Sequence, residues 1–157
     1  MRIKNVLQYL EASAQRLPDK VAFSEGGAGA SLTFSALLDV ARRVGSGLAR
    51  RGLTGERVAV LIARRPITIA VMLGALYAGA VYVPLDAAMP TARMRDIVTR
   101  CRAAAVVCDA SCGETAKMLG LPTLSAEVLA AETVDAATLD RIRARQIDTD
   151  PTYIIFT

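Results

Sequence analysis

Residues 66–85 read PITIAVMLGALYAGAVYVPL, a stretch without a single charge. Two kinds of structure accept such a run: a membrane-spanning helix, which needs about 20 apolar residues, or a segment buried inside a folded domain. Arg64 and Arg65 stand at its start, as they would beside a membrane anchor. Gly79 argues for burial, because it is placed to stop a helix. Beyond it Val81, Val83 and Leu85 alternate with Ala80, Tyr82 and Pro84, so the period changes from helical to extended. The pattern predicts a buried helix, a turn and a strand, with a single membrane span as its rival.

The same punctuation recurs along the chain. Asn5 followed by Gln8 resembles a capping box, and Val6, Leu7, Leu10, Ala14 and Leu17 share one helical face until Pro18 ends it. Val21-Ala22-Phe23-Ser24 reads as a strand, turning through Gly26, Gly27 and Gly29 and returning through Ser31-Leu32-Thr33. These glycines make a turn and not a phosphate loop, since no Gly-Lys-Ser/Thr follows them. Thr33 is the expected N-cap of a helix to about residue 51, whose Leu37, Ala41, Val44 and Leu48 recur on one face before Gly52. Strands are predicted over 57–62, 81–85 and 104–108, and helices over 66–78, 90–102 and 114–119, with Pro66 and Pro90 opening two of them. This βαβαβα rhythm predicts a mostly parallel sheet with right-handed crossovers and helices on both faces, preceded by an N-terminal helix and hairpin. Residues 125–149 are alanine-rich and charged, with TLDRIRARQ as the expected helix. YIIF at 153–156 is aromatic and β-branched, the composition of a buried strand.

Composition narrows the chemistry. With no histidine among 157 residues, neither a Ser-His nor a Cys-His nucleophile pair nor a histidine-ligated metal can be built. Cys101, Cys108 and Cys112 form no CxxC, and zinc would need a fourth ligand such as Asp109, so buried or surface thiols are expected and no metal site is assigned. An odd cysteine count suits a reducing cytoplasm, and the charges of the N-terminus interrupt any signal-peptide core. The net charge of +4 is carried largely by the pairs Arg42-Arg43, Arg50-Arg51 and Arg64-Arg65, while aromatic residues make up 4%. That combination argues against nucleic-acid binding, because single-strand binders need stacking residues.

Four stretches, in order, resemble the N-terminal part of the adenylate-forming enzymes, and most closely the adenylation domains of nonribosomal peptide synthetases. Leu32-Thr33-Phe34-Ser35-Ala36-Leu37 is similar to the family's L-T-Y-x-E-L, departing at Ala36. Gly55-Glu56-Arg57-Val58-Ala59-Val60 resembles G-D-R-V-A-I. Leu76-Tyr77-Ala78-Gly79-Ala80-Val81-Tyr82-Val83-Pro84-Leu85-Asp86, then Pro90 and Arg93, resembles L-K-A-G-G-A-Y-V-P-L-D-P-x-Y-P-x-x-R, with Tyr77, Ala87 and Met89 as departures. Tyr153-Ile154-Ile155-Phe156-Thr157 looks like the strand that runs into the family's glycine-rich phosphate loop.

The resemblance implies the fold of the N-terminal subdomain and a domain division of 1–54, 55–124 and 125–157 within a partial adenylation domain that stops just before that loop. It implies ATP and Mg²⁺ as cofactors, an acyl adenylate as product, and a phosphopantetheine thiol on a peptidyl carrier protein as acceptor. Asp86, where acyl-coenzyme A synthetases more often carry Asn, favours amino-acid activation. No catalytic residue falls within this chain, and none of the cofactors is expected to bind it tightly. Thr157 is the one cofactor-binding candidate, as the first hydroxyl of the phosphate loop; a plain terminal strand residue is the alternative. The remainder of the adenylation domain is the expected partner, supplied in cis or, in a split enzyme, in trans. An acyl-coenzyme A synthetase fragment and a membrane-anchored protein stay open as other readings.

Overall fold

The computed structural model describes residues 3–157. Helix α1 (Leu7–Arg16) is followed by the antiparallel hairpin β1 (Val21–Ser24) and β2 (Ser31–Thr33), then by the long helix α2 (Phe34–Arg50). Thr33 caps α2 as its position predicts, accepting the Ala36 N–H at 3.2 Å. The α1 cap is shifted by one residue from expectation. Asn5 Oδ1 accepts the Leu7 N–H at 3.0 Å, but the Gln8 side chain reaches the backbone N–H of Lys4 and not that of Asn5.

A second unit alternates strand and helix: β3 (Arg57–Leu61), α3 (Pro66–Tyr77), β4 (Val81–Pro84), α4 (Thr91–Arg100), β5 (Ala105–Cys108), a short 3₁₀ turn (Ala110–Cys112), α5 (Gly113–Lys117) and β6 (Thr123–Ser125). The four strands pair in parallel in the order β4-β3-β5-β6. Helices α6 (Ala126–Ala130) and α7 (Ala136–Arg145) follow. The last helix falls on the expected TLDRIRARQ segment, whereas β6 and α6 have no counterpart in the sequence pattern.

Alternation along the strands sorts side chains onto two layers. Val58 and Val60 of β3, with Ala105 and Val107 of β5, pack beneath Val44 and Leu48 of α2, Val71 and Ala75 of α3, and Leu129 of α6. Ala59 and Leu61, with Val106 and Cys108, face Met94, Ile97 and Val98 of α4 and Ala116 of α5. Helices therefore cover both faces of the sheet, as predicted. A third cluster joins Leu7 and Leu10 of α1, Leu37 and Ala41 of α2, Ala70 and Leu76 of α3, and Leu139 of α7.

This layering explains the uncharged run. Helix α3 lies against the sheet layer on one side and against α1 and α7 on the other, so none of its residues is fully exposed and nearly all of them are apolar. The run is divided by Gly79, in left-handed backbone at φ 70°, and continues as β4. Among the described residues no helix is long and apolar enough to cross a membrane. Contact between α2 and α3 depends on two mid-helix glycines. A Cβ on Gly74 would stand 2.5 Å from Val44 Cγ1 and 3.0 Å from the Ala41 carbonyl, and one on Gly45 would stand 2.6 Å from Tyr77 Cβ.

The segment 153–156 departs from expectation. It is not a buried strand: one parallel bridge ties Tyr153 to Tyr82, with Tyr82 N–H donating to Thr152 O at 3.1 Å and Ile154 N–H to Tyr82 O at 3.0 Å. Ile154 and Phe156 pack onto the α4 layer, while Tyr153 and Ile155 are 52% and 60% exposed. The segment lies outside β4, at the edge of the sheet, where only one of its faces meets a covering layer.

Candidate functional site

In an open parallel sheet the loops that follow the strands gather at the carboxyl edge, where such folds bind ligands. Here that edge carries the turns after β3, β4 and β5. Between the first two lies a cleft of about 340 Å³, lined by Ile62, Met72, Leu85 and Met89, with Phe156 closing it from the terminal segment. Its rim is polar. Arg64, 98% exposed, stands 4.0 Å from Asp86 Oδ2. Asp86 also shapes the turn it opens, since its Oδ1 accepts the Ala88 N–H at 2.9 Å and its carbonyl accepts the Met89 N–H at 2.9 Å.

Thr157 follows Phe156 directly and is exposed. Its backbone carbonyl accepts a hydrogen bond from Arg93 Nη2 at 3.4 Å. Among the described residues its hydroxyl meets no partner, which leaves it free for solvent or a ligand. Arg93, in the first turn of α4, is set by Asp96 Oδ2 at 3.1 Å, and Asp96 Oδ1 in turn accepts from Arg100 Nε at 2.7 Å. The hydrogen bond from Arg100 and the two neighbouring positive charges hold the Asp96 carboxyl below the usual carboxylate range.

A second constellation at this edge could not be read from spacing. Asp109, at the end of β5, is 1% exposed. Its Oδ1 accepts from Ser111 Oγ at 2.6 Å and from the Cys112 N–H at 3.1 Å, while Oδ2 has no hydrogen bond and lies 3.6 Å from Arg65 Nη1. Arg65 also reaches Glu25 Oε1 of the hairpin at 3.3 Å. Burial pushes the Asp109 carboxyl up, but Ser111, Cys112 and Arg65 together outweigh it and leave it below its ordinary value. The pair clamps three loops, separated by 40 and 44 positions in the chain, onto one corner of the edge. Its neighbours Cys108 and Cys112 are buried free thiols and Cys101 is a half-buried one; burial pushes the thiols of Cys101 and Cys108 up, the inert direction. Among the described residues no three His, Cys, Asp or Glu side chains converge to hold a metal ion.

Tyr77, noted in the sequence only as a departure from a motif, is buried at the far end of α3. Its hydroxyl donates to Glu11 Oε1 at 2.8 Å, and Glu11 Oε2 pairs with Arg143 at 3.3 Å. Burial, then the charge and hydrogen bond of Glu11, push the phenol well above its ordinary value. Gln146 Nε2 donates to Leu76 O at 2.7 Å and its Oε1 accepts from Asn5 Nδ2 at 2.9 Å, so the network ties α1, α3 and α7 together on the side away from the cleft.

Residues 10–157 match the family described as AMP-binding enzyme. The chain belongs to that family. Surfactin synthase subunit 2 of Bacillus subtilis (strain 168) is 33% identical over 153 residues, covering 97% of this chain and 4% of its own length. The crystal structure of FmoA3 (S1046A), a nonribosomal peptide synthetase, superposes with a TM-score of 0.78 at 28% identity over 99% of this chain and 16% of that one. The N-terminal subdomain of Klebsiella oxytoca NpsA, solved with 3-hydroxybenzoyl-AMSN, shares the fold with a TM-score of 0.68 at 23% identity, over 82% of this chain and 32% of that one. The chain thus has the architecture of the N-terminal subdomain of adenylate-forming enzymes, and it spans a small part of the proteins it matches.

Proposed function

We propose that this chain is the N-terminal portion of an enzyme that activates an amino acid with ATP. The carboxylate oxygen attacks the α-phosphorus, the bond to the β-phosphate breaks, and acyl-AMP and pyrophosphate form. A phosphopantetheine thiol on a peptidyl carrier protein then attacks the acyl carbonyl and AMP leaves. The observation that carries this reading is the family match across residues 10–157, laid on a parallel sheet whose terminal segment arrives at the carboxyl edge with Thr157. Thr157 serves as the first hydroxyl at the phosphates. The edge fits a polyphosphate in charge, with Arg64, Arg93 and the amino end of α4 on this side of the sheet. Mg²⁺ would disperse phosphate charge at this edge, where Asp86 and Asp109 each stand beside an arginine. A cytoplasmic setting accords with three free thiols.

ATP–pyrophosphate exchange with a panel of amino acids tests the reading on the full gene product. Exchange stimulated by one or a few amino acids, followed by loading of a carrier protein bearing phosphopantetheine, is the expected result. Exchange only with fatty or aryl acids, ending on free coenzyme A, would move the protein to the acyl-coenzyme A synthetases. The 157-residue chain alone is expected to give no exchange. Activity regained on adding a separately produced downstream fragment would support completion in trans, for which the half-exposed face of 153–156 offers an edge.

A further inference from the structure

The arginines of α2 and its C-cap all have acidic partners, with one exception. Arg43 is paired with Asp39 at 2.7 Å, and Arg50 and Arg51 both reach Glu132, at 2.7 and 2.8 Å. Among the described residues, the half-buried Arg42 guanidinium has neither a hydrogen bond nor an ion pair. The carboxylate of Asp140, exposed midway along α7, has none among them either. Both side chains line one cavity of about 220 Å³ between α1, α2, α3 and α7. Their charges are opposite, yet they do not pair with each other.

The other charges of the lining are already matched. Glu11 and Arg143 pair at 3.3 Å, and Tyr77 donates to Glu11 at 2.8 Å. Leu38, Leu139 and the Tyr77 ring supply an apolar wall. Leu139 and Tyr77 are buried, and burial is the first cause that raises the Tyr77 phenol, so this wall is poorly hydrated. A charge beside such a wall attracts an opposite charge more strongly than one in open water does. A hollow of about 310 Å³ adjoins the cavity, sharing Glu11, Leu38 and Arg42 and adding Ala14.

We propose that this cavity binds a small zwitterion, a free amino acid, with its carboxylate on the Arg42 guanidinium, its ammonium on the Asp140 carboxylate and its side chain against Leu38. A simple ion would satisfy one of the two charges and leave the other unpaired. A molecule carrying both satisfies the two at once, and the planar guanidinium takes a carboxylate through two parallel hydrogen bonds. At about 220 Å³ the cavity is smaller than those that hold drug-sized ligands, as a molecule of this class requires. The site lies away from the cleft at the carboxyl edge and does not depend on the adenylation reading.

L-Leucine titrated into the 157-residue chain, followed by calorimetry and by ¹⁵N–¹H amide shifts, tests the assignment. Saturable binding with a dissociation constant of about 1 mM is expected, with the shifts gathered on α1, α2, α7 and the end of α3. Isocaproate lacks the ammonium of leucine and isoamylamine lacks its carboxylate, and each is expected to bind about tenfold more weakly. Arg42→Ala and Asp140→Ala are each expected to weaken leucine binding by about the same factor without unfolding the chain, since neither side chain bonds to another described residue. Arg42→Lys keeps the charge but not the planar fork, and recovers part of the loss. No saturation, isocaproate or isoamylamine bound as tightly as leucine, or unchanged affinity in either alanine variant overturns the proposal. Should Arg42→Ala not fold, Arg42→Gln takes its place.

Discussion

Strand β3 and the segment 153–156 are written in a similar alphabet, RVAVL against YIIF, and end in opposite environments. Val58, Ala59, Val60 and Leu61 are all buried, because β3 has a strand on either side and helices above and below. Ile154 and Phe156 turn inward while Tyr153 and Ile155 stay half open to solvent, because among the described residues the segment has a neighbour only on the β4 side and a covering layer only on the α4 side. An apolar β-branched run specifies extended backbone. Its place in the strand order decides how much of that run is hidden.

Paired truncations would break this contrast most directly. Leu61→Ala is expected to lower unfolding free energy by about 2–5 kcal/mol, as for other buried large-to-small changes, whereas Ile155→Ala stays within about 0.5 kcal/mol. Urea unfolding reads both, and equal losses would show that the edge is as well packed as the centre. Next in size is Gly74→Ala, which gains helix propensity but forces a methyl into Val44 and the Ala41 carbonyl, for a net loss of about 1–3 kcal/mol. A variant as stable as wild type would mean that α2 and α3 can slide apart at no cost. Tyr77→Phe removes one hydrogen bond to Glu11 and is expected to lose about 1 kcal/mol, with α1 loosening first by amide exchange.

The smallest effect concerns pH. The Asp109 carboxyl is below its ordinary value in the fold, so its stabilisation is present above the unfolded value of about 4 and is lost as pH falls through the lower folded value. Urea midpoints between pH 6 and pH 2 are expected to fall less steeply in Asp109→Asn than in wild type. Parallel curves would remove Asp109 from the acid response and leave it to the exposed carboxylates.

Most of the sheet unit was legible because its boundaries are set by single residues with local effects. Thr33 caps α2, Pro66 opens α3, and Gly52 and Gly79 adopt the left-handed backbone that stops their helices. β6 and α6, with three and five residues, are too short for periodicity to register, and they form because β5 and α2 offer surfaces to cover. The close approach of α2 to α3 was invisible, since a mid-helix glycine reads as a cost until the opposing helix is known. At the carboxyl edge, Asp86 and its turn were readable. The Arg65–Asp109 clamp and the Arg93 contact join residues 44 and 64 positions apart, and no pattern along the chain encodes such pairs.

The strand order carries a consequence for how this chain comes together as it is synthesised. β3, the first strand of the parallel sheet to be made, ends at its centre; β4 adds to one side of it, β5 to the other, and β6 beyond that. Each later strand meets an edge that already exists, and none has to be inserted between two others. The sheet can grow outward in the order of translation, from residue 57 onward, without waiting for its last strand or unmaking an earlier pairing.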